Sequence, residues 1–223
     1  MRRFWHWGQL GDVNYSLPTV KALGGGEFVT SIRGPRFEFI APLLRAQPYV
    51  TGATCDPKGR MEHWNYSPPG MTHDLNAFRA QCGDIAHVHL AVSHAKPHGV
   101  RVDPAVPWLE PDPSWGPMGC EGGLIVARSF RYRHPKGRAK YPTDPRAWFV
   151  GLREEAEDFG LRHLPVSDAW DLARVVWQAG RFAGNQSFPL SVAVGLGVPH
   201  ALETEPNCSN CLLENCAWQT LIC

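Results

Sequence analysis

The segment Phe182-Ala183-Gly184-Asn185-Gln186-Ser187-Phe188-Pro189 has the most specific arrangement of reactive residue types in the chain. Its apolar start reads as a strand end, its polar middle as capping residues, and Pro189 as the opening of a helix. A helix N-terminus leaves backbone N–H groups unpaired and carries partial positive charge, so it can hold a phosphate. Gly184 would let an anion approach the backbone closely. Asn185 and Ser187 would either cap the helix or bond the anion. The same pattern also describes an ordinary, well-capped strand-turn-helix connection.

A second constellation runs from Arg128 to Lys140, with six Lys/Arg, Phe130 and Tyr132 interleaved, and no acid. Arginine makes forked bonds to phosphate, and Arg128 and Arg131 lie nearest the preceding apolar run. The same mixture suits a nucleic-acid backbone, or a solvated basic loop. Near the C-terminus, Cys208, Cys211, Cys216 and Cys223 could bind a tetrahedral zinc. The first pair has zinc-knuckle spacing, but the later spacings fit no standard finger, and reduced thiols are the alternative reading. His87 and His89 would share a face of a strand, although no neighbouring carboxylate completes a metal set, and His94 and His98 read as loop residues. No G-x-S-x-G, Walker or H-E-x-x-H pattern occurs.

The elements that must position these residues alternate. Phe4–Trp7 reads as a strand and residues 8–12 as a glycine-bearing turn. A helix follows over Ser16–Leu23, with Ser16 as N-cap and Gly24-Gly25-Gly26 as its stop. Strands are expected at Glu27–Ile32 and Pro48–Thr51, with a helix over Phe37–Ala46 between them. Residues 52–117 are rich in Pro, Gly and His; they predict one helix at His73–Cys82, one strand at His87–Val92, and a linker from Pro97 to Pro117. The rhythm then returns: a strand at Gly123–Ala127, an amphipathic helix over Asp144–Phe159, and a helix over Ala169–Ala179 capped by Asp168. Last come a strand at Arg181–Ala183, a helix at Pro189–Leu196 and a strand at Val198–Glu203. This argues for an α/β protein built on parallel sheets, in two lobes, residues 1–117 and 118–223.

Composition sets limits. The 223 residues are 43% apolar and 19% charged with a net charge of +1, which gives no global attraction to nucleic acid or an anionic membrane. No apolar run is long enough to span a bilayer, and the N-terminus lacks a signal-peptide core, so cytoplasmic residence is the expectation. Seven Cys, an odd number, suit reduced thiols better than a disulfide framework.

The run Val166–Pro199 resembles the donor-binding segment of heptosyltransferase-like glycosyltransferases: an Asp-led helix, a strand, a G-N-[DQ]-S turn and an Ala-rich helix ending L-G-V-P. Gly11-Asp12, Leu17-Pro18 and Leu23 are similar to that group's opening motif. Val126–Arg133 resembles a basic segment of small phage-encoded members, in which a Trp-bearing helix follows, here with Trp148. Together these segments cover about a third of the chain.

The resemblance implies a GT-B fold of two small Rossmann-like lobes with a cleft between them. The N-terminal lobe would face the acceptor and the C-terminal lobe would bind a nucleotide-sugar. Gly184, Asn185, Gln186 and Ser187 would cradle the donor diphosphate, Glu203 would hold the ribose, and Arg128 and Arg131 would neutralise the leaving group. Asp12 would be the general base that deprotonates the acceptor hydroxyl. The implied reaction is an inverting transfer needing no metal or other cofactor, to a glycan, a small molecule or a hydroxymethylated DNA base. A DNA base in a duplex would have to be flipped out. The acceptor residues are not legible, and a non-catalytic nucleic-acid-binding module is a further alternative. Gln186 stands where the family usually has Asp.

Overall fold

Short apolar strands separated by helices bury both faces most fully when they lie parallel with helices packed over them. The computed structural model describes residues 1–56, 66–134, 136–214 and 216–222, and they adopt this arrangement twice. The chain divides into two units, Met1–Pro104 with Asp168–Trp170, and Ala105–Ser167 with Asp171–Cys223.

The first unit is built on β1 (Arg3–His6), β2 (Gly26–Thr30), β3 (Val50–Cys55) and β4 (His73–Asp74), in the order β3-β2-β1-β4. All three pairings are parallel, with Phe4 opposite Phe28 and His73. Helices α1 (Leu10–Ala22), α2 (Pro35–Arg45), α3 (Phe78–Gln81) and α4 (Leu90–Ala95) accompany the sheet. Phe4, Val13, Leu17, Val20, Phe28, Ile40, Leu43 and Leu44 are fully buried among them.

The second sheet joins β5 (Leu124–Ala127), β6 (Ala147–Phe149), β7 (Arg162–His163), β8 (Phe182–Asn185), β9 (His200–Glu203) and β10 (Gln219–Leu221). Their order is β10-β9-β8-β5-β6-β7, again all parallel. Both β5 and β8 are buried along their whole length, as central parallel strands must be. Helices α5 (Arg153–Phe159), α6 (Ala169–Ala179) and α7 (Phe188–Leu196) complete the unit. Asp168 accepts the Trp170 N–H at 2.8 Å at the start of α6. Between β5 and β6, where a parallel crossover ordinarily carries a helix, the described residues among 128–146 contain only a 3-10 turn at Arg138–Lys140. A cavity of about 450 Å³ lies there, lined among others by Val126, Tyr141, Ala147 and Phe159.

Several sequence expectations are corrected. Helix α1 begins at Leu10, six residues before the expected cap; the Ser16 hydroxyl instead bonds back to the Val13 carbonyl at 2.7 Å. The stretch read as a helix from His73 to Cys82 opens with β4 pairing against β1, and only Phe78–Gln81 is helical. The expected strand at His87–Val92 is overturned because His89 caps α4, its ring accepting the Ala91 N–H at 3.2 Å. His87 and His89 therefore do not sit on one strand face.

The amphipathic reading of Asp144–Phe159 splits into β6, a bend at Gly151 and α5. Asp144 accepts the Arg146 N–H at 2.8 Å, and Trp148 and Phe149 pair on both sides within the sheet. The expected linker is partly core: Trp108 and Leu109 are buried and both of their N–H groups reach the Gly195 carbonyl at 2.9 Å. β4, β7 and β10, of two or three residues each, were not expected.

Buried histidines make the fold acid-sensitive. His94 accepts no solvent, and burial pushes its pKa down to about 4; burial does the same to His200, also to about 4. The unfolded chain takes up these protons near 6.5 while the folded protein refuses them, so stability is complete above that pH and falls as pH drops toward 4. The loss is on the order of 3 kcal/mol per histidine by about pH 4. Urea denaturation at a series of pH values should show this slope, and His200→Gln should flatten it.

Candidate functional site

The C-terminal ends of β5, β8 and β9 converge, with Ala127 paired to Gly184 and Asn185 paired to Glu203. In open parallel α/β sheets this is the end where ligands bind. Arg128, Asn185 and Glu203 come together here, although they lie far apart in the chain.

Glu203 is fully buried. Arg128 donates to it in a fork, Nε to Oε2 at 2.6 Å and Nη2 to Oε1 at 2.7 Å. The His134 N–H donates to Oε1 at 2.8 Å, and the Tyr141 hydroxyl to Oε2 at 2.7 Å. The hydrogen bond and charge of Glu203 raise the Arg128 pKa, while burial first and Glu203 second raise that of Tyr141. Both groups thus keep their protons and their donor roles. With no exposed surface and both oxygens engaged, Glu203 anchors the segment that follows β5. Arg128, only 6% exposed, is likewise committed to Glu203 and to the His134 carbonyl at 3.4 Å.

Asn185 anchors the same segment from β8. Its Oδ1 accepts the Ser129 N–H at 3.1 Å. Its Nδ2 donates to the carbonyls of Ser129 at 3.0 Å and Tyr132 at 3.4 Å, and to that of Arg131. Gln186, also buried, bridges forward: its Oε1 accepts the Glu205 N–H at 2.9 Å and its Nε2 reaches Asn210 Oδ1 at 3.2 Å. Gly184 has no side chain because a Cβ would meet the Ala127 carbonyl oxygen and the Phe182 ring at 2.6 Å each. Of the expected cradle, Ser187 stands as the residue before α7; its hydroxyl donates to the Asn185 carbonyl at 3.2 Å.

What faces solvent is the tip of the segment. Arg131 is exposed, its guanidinium 5.0 Å from the Tyr132 ring centre, and Arg133 lies 4.2 Å from that of Phe130. Phe130 is 61% exposed. Tyr132 has φ of 54°, a left-handed conformation that costs a residue with a Cβ about 1–2 kcal/mol. Lys136 and Lys140 are exposed beyond it, whereas Arg138 pairs with Asp158 at 2.8 Å.

Asp12 lies in the first unit, in the first turn of α1. Its Oδ2 accepts the Gln9 N–H at 3.3 Å and Arg79 Nη2 at 2.8 Å. Arg79, Tyr141, His134 and Gly137 had not been singled out from sequence. A Cβ on Gly137 would run into the Glu203 carboxylate, a requirement visible only in three dimensions.

Among the described residues no group of three or more His, Cys, Asp or Glu is placed to hold a metal. Cys208, Cys211 and Cys216 are within that set, and Cys223 lies outside the described residues. Among them, too, no helix is long and apolar enough to cross a membrane.

Gly184→Ala tests the close approach of β5 and β8. Because the obstructing atom is backbone, the substitution should destabilise the protein by about 1–3 kcal/mol, read as a lower midpoint in urea denaturation. An unchanged midpoint would contradict the packing described.

No family model and no curated protein sequence matches the chain. Solved structures do. Escherichia coli heptosyltransferase WaaC with ADP superimposes with a TM-score of 0.62 at 12% identity, over 99% of this chain and 92% of that one. The same enzyme with ADP-2-deoxy-2-fluoro heptose gives 0.59 at 14% identity, over 99% and 92%. A glycosyl transferase family 9 protein from Veillonella parvula gives 0.58 at 15% identity, over 98% and 85%. The chain thus has the α/β, GT-B-type fold of these glycosyltransferases, with two Rossmann-like units each on a parallel sheet.

Proposed function

We propose that this protein transfers a sugar from a nucleotide-sugar donor to an acceptor hydroxyl, with inversion and without a metal. The observation that carries the reading is the fold, matched along nearly the whole chain to two glycosyltransferases, one of them solved both with ADP and with an ADP-sugar analogue. The residues fit the chemistry. The first unit supplies the acceptor side, where Asp12 takes the proton from the acceptor hydroxyl as its oxygen attacks the anomeric carbon. The bond from that carbon to the diphosphate breaks, and a nucleoside diphosphate leaves. The second unit holds the donor.

The division of labour within the second unit differs from the sequence expectation. Arg131, exposed at the strand ends, and the N-terminus of α7 after Ser187 meet the diphosphate and take the place of a divalent cation. Arg128, Asn185, Gln186 and Glu203 hold the surrounding backbone in shape. An ADP-sugar is the first donor to test.

A second reading concerns the acceptor. The exposed Phe130 and Tyr132, with Arg131 and Arg133 against their rings, favour a hydroxymethylated base in DNA. A glycan or small molecule is the general case.

The test combines ADP-, UDP-, GDP- and CDP-sugars with the purified protein, with and without hydroxymethylcytosine-containing DNA, read by released nucleotide and product mass. Asp12→Asn should lower transfer by about 10²–10⁴-fold while leaving nucleotide binding intact. Undiminished transfer would remove Asp12 as the base. A mass increase on DNA would establish the second reading. Silence of the folded parent protein across all donors would favour a binding module without transfer.

A further inference from the structure

The surroundings of Asp12 contain polar groups that the transfer reading has not used. Arg79, on α3, has its guanidinium 4.8 Å from the Trp7 ring centre and 4.7 Å from that of Phe78. Two rings fix the position of a flat, delocalised cation in a way a lysine ammonium would not match. From this seat Nη2 donates to Asp12 Oδ2 at 2.8 Å. The Gln9 N–H donates to the same oxygen at 3.3 Å. Both hydrogen bonds thus fall on Oδ2, and the side chain as a whole is 20% exposed.

Gly8 makes this geometry possible. A Cβ there would lie 2.7 Å from Asp12 Oδ2 and would also strike the His6 ring. The turn between β1 and α1 thus lacks a side chain at the position where the carboxylate folds back over it.

The charged and titratable groups around Asp12 come from each element packed about it: His6 at the end of β1, Arg79 on α3 and His94 on α4. Arg36, from α2, is bonded at 2.6 Å to the Gln9 side chain. The His6 Nδ1 accepts the Gly8 N–H at 2.8 Å, which leaves its proton on Nε2. The His94 Nδ1 lies 2.9 Å from the Leu75 carbonyl and must donate to it, which leaves a lone pair on Nε2. Both rings are fully buried with centres 5.1 Å apart, and neither Nε2 has a partner among the described residues. One ring thus offers a donor and the other an acceptor, a pair suited to a bridging water rather than to a direct bond. Burial keeps both rings neutral at ordinary pH. Arg79 is then the one cation in direct contact with the Asp12 carboxylate among the described residues.

We infer that Arg79 is a positioning residue for Asp12, clamping Oδ2 so that Oδ1 is presented to the acceptor hydroxyl. The inference rests on the reading of Asp12 as the general base. Arg79 touches no reacting atom in this role. It fixes the rotamer of the base by holding one carboxylate oxygen in a set direction.

Kinetics of released nucleotide, measured with the four nucleotide-sugars above, test it. Arg79→Gln should lower kcat by roughly 10- to 100-fold with the donor KM unchanged. Arg79→Lys, which restores charge without the planar fork, should recover part of the loss. Gly8→Ala, which leaves Arg79 in place and displaces the carboxylate, should lower kcat in the same manner. The inference is overturned if Arg79→Gln keeps the parent kcat while Asp12→Asn loses it. It is equally overturned if Arg79→Gln and Arg79→Lys fall together with a rising KM and a lowered melting temperature, the pattern of a purely structural residue. Full transfer by Asp12→Asn would instead sink the base reading itself, a result separable from either outcome at Arg79.

Discussion

A carboxylate stripped of water must find its hydrogen bonds inside the protein or lose its charge. Glu203, at the end of β9, finds four: two from Arg128, one from the His134 backbone and one from Tyr141. All four come from the segment that follows β5. Removing one partner of such a buried pair typically costs about 3–5 kcal/mol, even though the intact pair adds little net stability over apolar packing. Its contribution is therefore specificity of shape. The described residues among 128–141, which include no α-helix, are held against the strand ends by this group and by Asn185 from β8.

The consequence is a rigid base under an exposed tip. Asn185 bonds the Ser129 and Tyr132 carbonyls and also that of Arg131, and this over-determination sustains the left-handed backbone of Tyr132. The tip then carries Phe130, Arg131, Tyr132 and Arg133 in one arrangement. The first unit shows the same economy on a smaller scale. There a carboxylate in the first turn of α1 is tethered by Arg79 through one oxygen and by a glycine turn that leaves room for it.

Much of this was legible in the sequence, and the remainder has physical reasons. The alternation of strands and helices, the helix over Ala169–Ala179 and the strand-turn-helix at Phe182–Pro189 follow from local patterns of apolar, capping and glycine residues. Asp12, Arg128, Asn185 and Glu203 stood out as candidates, and three of them meet at one place. Their partners did not stand out, because the pairing of Arg128 with Glu203 spans 75 positions and that of Arg79 with Asp12 spans 67. Periodicity misled at Asp144–Phe159, where a helical spacing of aromatic residues is shared between β6 and α5. Two- and three-residue strands such as β4 and β10 carry too little pattern to be read and exist only because a neighbouring edge is there to pair with.

The central claim is that Glu203 organises the segment after β5 rather than contacting a ligand. Amide hydrogen exchange of ligand-free Glu203→Gln, compared with the parent protein, tests it most directly. The account predicts that amides across residues 128–141, His134 among them, lose protection while those of β5 and β8 keep the highest protection in the unit. Unchanged protection across 128–141 would contradict the account and return Glu203 to the role of a direct ligand.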